Sequence, residues 1–180
     1  MKIITVTAGH GGTDPGNTWG GEREADLMRE LRGIVALKLR ELGHEVREDG
    51  ARHENRPLSE AARLVAGSDV AIELHTNASQ NLRAEGVEVV ADVRHGELAQ
   101  RLAHAIGGVL QIPVRRRGGW FDAEELRAER GFYPGFVRAG GLIVETFFQS
   151  NPRELQAYRD RKWLVASAIA RVLDHHVRLP

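Results

Sequence analysis

Apolar positions along the chain follow two rhythms, one of period two and one near 3.6. Residues 3–8 (Ile-Ile-Thr-Val-Thr-Ala) are β-branched and apolar and stop at Gly-His-Gly-Gly, the pattern of a buried strand. The next stretch, to residue 21, is rich in Gly, Thr, Asp, Pro and Asn and reads as a loop. From Glu24 the period lengthens. Leu27, Leu31, Val35, Leu39 and Leu42 recur every three or four residues, and Gly43 stops the amphipathic helix they predict. A short strand over 44–47 follows, then a helix over 57–66, with Pro57 suited to a first turn. Residues 70–74 predict a strand that ends on His75, and 86–93 a further strand. Leu98, Leu102, Ile106 and Val109 mark another helix. Residues 142–144 form a short apolar strand ending on Glu145, and Trp163, Ala166, Ala170, Leu173 and Val177 share one face of a last helix.

Strands alternating with helices predict an α/β fold with a largely parallel sheet covered on both faces. The length, 180 residues, suits a single domain spanning 1–180, and neither a repeat nor a linker interrupts it. The least regular segment is 115–141, which holds a run of arginines, Trp120, Phe132 and Tyr133. A loop of that length is expected to be functional or mobile, with 124–129 as its helical part.

Charge and composition narrow the function. The 25 basic and 25 acidic side chains cancel, so nothing favours a nucleic-acid partner or an anionic membrane. There is no cysteine, which excludes disulfides, thiolate metal sites and cysteine nucleophiles. Any metal must be held by imidazole and carboxylate. The opening MKIITVTAGHGG is too brief and interrupted for a secretory signal, and no segment is long enough to insert in a membrane. The expectation is a soluble monomer made in a reducing cytoplasm without an export signal.

In open α/β sheets, ligands gather beyond the carboxyl ends of the strands. His10, His75 and Glu145 each follow an apolar strand, and Glu24 opens the helix after the first strand, so four chemically capable residues converge on one rim. Two imidazoles and a carboxylate are a common catalytic zinc set that leaves one position open for water. The metal acidifies that water and polarises a carbonyl, while a second carboxylate, the role that suits Glu145, moves the proton.

Each residue also has a plainer reading. A histidine after a strand is often a hydrogen-bonded structural group, and Glu24 can act only on the helix dipole, with Glu22 as a competing ligand. A glutamate after Leu-Ile-Val must be solvated, paired or used. Gly11 and Gly12 suggest a phosphate cradle, but no Lys-Ser/Thr follows and the helix begins too late. His44, His53, His95 and His104 lack matched partners, and His175 and His176 fall on a solvated face. The run Arg115, Arg116, Arg117 is expected to be solvated, or to contact an anionic carbohydrate or a peptide carboxylate.

The segment Ala8-Gly-His-Gly-Gly-Thr-Asp-Pro-Gly16, with Glu24 fourteen residues after His10, resembles the opening of zinc-dependent N-acetylmuramoyl-L-alanine amidases of the amidase-3 type. Ile72-Glu-Leu-His-Thr-Asn-Ala78 is similar to their second histidine motif, usually Ser-Ile-His-Ala-Asn-Ala. Ile143-Val-Glu-Thr-Phe-Phe-Gln-Ser-Asn151 is similar to their late Val-Glu-x-Gly-Phe-x-x-Asn, and Arg117-Gly118 falls where they often have Arg-Gly.

The resemblance spans nearly the whole chain and implies a mixed sheet of about six strands. It implies hydrolysis of the amide between N-acetylmuramic acid and L-alanine in peptidoglycan, one zinc ion per chain on His10, Glu24 and His75, and Glu145 as catalytic glutamate. Its spacing prefers Glu24 to Glu22. It leaves the substrate-binding residues unassigned.

Departures are Ala8 for proline, Phe147 for glycine, and only a faint Thr-Arg-x-x-Asp in Val46-Arg-Glu-Asp49. The setting it suggests is a single-domain phage endolysin reaching the cell wall through a holin, with a trimmed bacterial wall amidase as the alternative. A zinc peptidase or amidohydrolase on another acyl substrate and a metal-free wall-binding module are the competing functions.

Overall fold

The computed structural model describes residues 1–51 and 54–179. β1 (Ile3–Ala8) leads into a small antiparallel ribbon, β2 (Thr18–Trp19) and β3 (Glu22–Arg23), followed by α1 (Glu24–Glu41) and β4 (Glu45–Glu48). Next come α2 (Leu58–Ala61), a 3-10 turn (Ala62–Val65), β5 (Val70–Asn77), β6 (Glu88–Ala91) and α3 (Gly96–Leu110). The chain closes with β7 (Trp120–Asp122), α4 (Ala123–Arg130), α5 (Gly135–Arg138), β8 (Leu142–Phe148) and α6 (Pro152–Arg178).

Six strands form one sheet in the order β4-β1-β5-β8-β6-β7. All neighbours are parallel except β6 and β8, which run antiparallel. The expected α/β fold, with a mixed and mostly parallel sheet flanked by helices, is the observed one.

Strand parity decides what each face does. Ile4, Val6, Ile72, Leu74, Val89, Leu142 and Val144 point to one side and pack against α1, α3 and α6 in the larger core. Ala71, Val90 and Ile143 point to the other side, against α2, α4 and α5 in a smaller core with Phe121, Leu126 and Phe136. Residues of the second parity near the carboxyl ends of β5 and β8 therefore face the thinner helical layer.

Several boundaries differ from the sequence reading. β5 and β8 run past 74 and 144, to Asn77 and Phe148, so His75 and Glu145 lie inside strands. Both strands keep pairing there because their polar side chains face a cavity. The 57–66 helix is one α-turn continued as a 3-10 turn, and the loop before Glu24 contains the β2–β3 ribbon. The 115–141 segment carries β7, α4 and α5. Asp122 caps α4 through its side chain, and Gly131 ends it at φ 68°, a conformation glycine adopts freely. Trp163 lies at the margin of the buried stripe of α6 and is 54% exposed. No described helix is long and apolar enough to cross a membrane.

A buried ion pair anchors the turn that leaves β1. Asp49 accepts hydrogen bonds from Arg32 Nη1 (2.8 Å) and from the Ala8 amide (3.2 Å). Arg32 also donates to the Ala51 and Glu54 carbonyls and to Asn55, whose amide in turn donates to the Gly9 carbonyl. Both charged groups are fully buried. Removing one partner of such a pair strands the other, so Arg32→Ala is expected to destabilise the protein by about 3–5 kcal/mol in urea unfolding. A loss below about 1 kcal/mol, the range of an exposed pair, would contradict this role.

Candidate active site

Strand register builds the floor of the site. His75 stands opposite Glu145 across β5 and β8, and Glu145 opposite Glu88 across β8 and β6. Glu73, two residues before His75, shares its face. Four ionisable side chains thus occupy the cavity side of three adjacent strands, where parallel sheets ordinarily place apolar residues.

The turn after β1 supplies the next side chain. His10 has φ 67°, a left-handed conformation uncommon for a histidine. It is held there by Gly9 bonded to the Leu74 carbonyl and by the exchange of hydrogen bonds between Gly11 and Asp14. A side chain at Gly9 would collide with three atoms of the His75 ring, so only glycine lets the turn pass. The two imidazoles meet edge to face with centroids 5.1 Å apart.

Glu24 joins them from the first turn of α1, where its carboxylate is buried. Oε1 accepts from the Thr76 amide at 2.8 Å and lies 3.1 Å from His75 Nδ1. Oε2 accepts from the Asn17 amide and side chain, both at 2.9 Å, and lies 3.2 Å from His10 Nε2. Burial alone would raise the Glu24 carboxyl, but hydrogen bonds from His10 and His75 outweigh it and hold the group far below the ordinary range. His10 is raised chiefly by its bond to Glu24. His75 is opposed by burial yet lifted well above its usual value by Glu24, Glu73 and the charge of Glu145.

His10, Glu24 and His75 offer donor atoms that all lie within 4.8 Å of one another, a group that can hold a metal ion. His75 Nδ1 lies 3.1 Å from Oε1 and His10 Nε2 lies 3.2 Å from Oε2, so the two imidazoles approach the carboxylate from its two oxygens.

Glu145 is half-buried, and its Oε2 is sealed from solvent with no hydrogen-bond partner among the described residues. Burial pushes its carboxyl up to about 7. The charges of Glu24 and Glu88 add to this, while the histidines oppose it. Glu88 is itself pinned by Asn77, Arg115 and Arg116. His10, Glu73, His75, Glu88 and Glu145 form the polar side of a cavity of about 400 Å³. Ile143, Phe121, Leu126, Phe132 and Phe136 line its apolar side.

The four residues singled out from sequence therefore come together. Glu22, the competing ligand, instead pairs with Arg159. The arginine run is not simply solvated, because Arg115 and Arg116 bind Glu88, Arg116 covers the Phe121 ring, and Arg117 binds Glu125 at 2.6 Å. His44 has a partner after all, Asp174 at 2.7 Å, which ties the end of α1 to α6. His53 lies outside the described residues. Sequence reading missed Glu73 and Glu88. Period-two parity from His75 points to Glu73, whereas Glu88 is found only through the pairing of β6 with β8.

The profile of the N-acetylmuramoyl-L-alanine amidase family, amidase-3 type, matches residues 4–175. A candidate N-acetylmuramoyl-L-alanine amidase of Neisseria meningitidis, solved by crystallography, is 38% identical with a TM-score of 0.87; the match covers 97% of this chain and 95% of that one. AmiC2 of Nostoc punctiforme, an N-acetylmuramoyl-L-alanine amidase, is 23% identical (TM-score 0.79, 99% and 98% covered). An N-acetylmuramoyl-L-alanine amidase of Clostridium difficile 630 is 22% identical (TM-score 0.77, 97% and 95% covered). At 22–23% identity the last two speak for the fold alone. No curated protein matches the chain.

Gly9→Ala is expected to displace His75 and weaken divalent-metal binding at least about tenfold in a calorimetric titration, with the circular dichroism spectrum of a folded protein. Unchanged affinity would show that the turn does not set the ring's position.

Proposed function

The chain belongs to the N-acetylmuramoyl-L-alanine amidase family, and on that premise we propose that residues 1–180 form one zinc-dependent catalytic domain. Its substrate is cell-wall peptidoglycan, and the bond cut is the amide between the lactyl group of N-acetylmuramic acid and L-alanine. His10, Glu24 and His75 hold the zinc, and Glu145 carries the proton. The observation that most supports this reading is a buried carboxylate shared between two imidazoles, next to a second carboxyl whose Oε2 has no partner in the same cavity.

A zinc ion held by His10, Glu24 and His75 would supply a Lewis acid for the substrate carbonyl and would lower the pKa of a water toward neutrality. Glu145 Oε2 takes the proton of the attacking water and returns it to the nitrogen of the leaving L-alanine, a transfer suited to a carboxyl that titrates near neutrality. The fixed hydrogen bonds from Asn17 and Thr76 hold Glu24 ionised and in place through both steps. Phe121 and Phe136 line the apolar side of the cavity that Glu145 shares. Cutting this amide frees stem peptides from the glycan, so bacteriolysis of the kind a phage endolysin performs is the proposed consequence. Falling turbidity of a suspension of purified walls measures it.

Digestion of purified peptidoglycan tests the bond assignment. New amino groups on L-alanine without new reducing sugars are expected, and cleavage within the stem peptide would assign the site to a peptidase instead. Glu145→Gln is expected to keep its zinc and lose about 10²–10⁴-fold in turnover, whereas His75→Ala loses both. Near-normal turnover in Glu145→Gln would remove the proton-transfer role.

The pH dependence follows from the same group. Glu145 must be ionised to accept a proton, and its carboxyl is raised to about 7, so kcat/KM is expected to rise with pH along an acid limb. A cation held at His10, Glu24 and His75 would favour the ionised form and move that limb downward. Glu145→Gln should abolish it, and an identical limb in that variant would assign the titration to another group.

A further inference from the structure

Each imidazole of the cluster has a second carboxylate on the ring nitrogen that faces away from Glu24. On His10 it is Asp14, whose Oδ2 lies 2.9 Å from Nδ1, and Asp14 is largely exposed. On His75 it is Glu73, whose Oε1 lies 3.1 Å from Nε2 and whose side chain is only 3% exposed. The two contacts differ in kind. Asp14 sits on a glycine-rich turn in solvent, whereas Glu73 is locked to His75 by strand geometry, two residues apart on one face of β5. Its other oxygen meets Thr7 Oγ1 on the neighbouring strand at 3.5 Å.

We propose that Glu73 is a positioning residue that commits His75 to a single tautomer, with Nε2 protonated and Nδ1 turned to the zinc. The inference rests on the zinc reading of the site. A neutral imidazole carries one N–H, and an ionised carboxylate can only accept, so the nitrogen facing Glu73 keeps the proton and the opposite nitrogen offers its lone pair. That opposite nitrogen is the one 3.1 Å from Glu24, on the metal side of the ring. Such an outer carboxylate also makes the ring a stronger ligand.

A serine hydroxyl in place of the Glu73 carboxylate could donate as well as accept, and so would not select a tautomer.

The test is zinc affinity, measured by competition with a chromophoric chelator, for the wild type, Glu73→Gln and Glu73→Ser. It is paired with long-range proton–nitrogen NMR correlations of the histidines in the zinc-loaded wild type. Glu73→Ser is expected to bind zinc about 10–100-fold more weakly, and Glu73→Gln, which keeps an acceptor oxygen, to fall between it and the wild type. His75 is expected to show a protonated Nε2 and an unprotonated Nδ1. Tight zinc binding by the wild type with equal affinity in Glu73→Ser overturns this inference alone. A His75 proton on Nδ1 does the same, and decides the matter if the serine variant does not fold. A wild type that takes up no zinc overturns the proposed function, and this inference with it.

Discussion

A carboxylate taken out of water is expensive, and Glu24 is almost completely buried. The molecule compensates it with donors from two separate parts of the chain: the His10 ring and the Asn17 amide and side chain from the loop after β1, and the His75 ring and Thr76 amide from β5. That one group therefore clamps the loop after β1 and the start of α1 onto the carboxyl end of a central strand. The two imidazoles among these partners are those proposed to share a metal with it. Fold and site depend on the same hydrogen bonds, so substitutions around Glu24 disturb both together.

The sheet supplies the second constraint. Central strands of a parallel sheet are covered on both faces, and polar residues on them must be paired or used. Glu73, His75, Glu145 and Glu88 all fall on the side of the thinner helical layer, where α2, α4 and α5 leave a cavity. The antiparallel β6 sets Glu88 opposite Glu145, and this like-charge neighbour adds to burial in raising the Glu145 carboxyl. Arg115 and Arg116 pair with Glu88, while Glu145 Oε2 has no hydrogen-bond partner among the described residues.

Much of this was legible in the sequence, for identifiable reasons. β1, α1, α3 and α6 have long apolar repeats, and the four principal site residues stand where polarity interrupts an apolar run. Features that depend on distant partners were not legible. Glu88 acquires its place from a strand pairing, and His44 meets Asp174 across 130 residues. The 115–141 segment looked irregular because β7, α4 and α5 are short and draw their order from tertiary contacts, such as the stacking of Arg116 on Phe121 and the packing of Phe136 in the smaller core. Trp163 follows the apolar repeat of α6 yet is exposed, because a helical repeat cannot say where the facing helices end.

The central claim is that one metal ion sits among His10, Glu24 and His75. Diffraction from zinc-soaked crystals at energies on either side of the zinc absorption edge tests it most directly. The account predicts a single strong anomalous peak about 2.0–2.2 Å from one donor atom of each of these three residues. A peak that excludes either histidine, or no peak at saturating zinc, would contradict it.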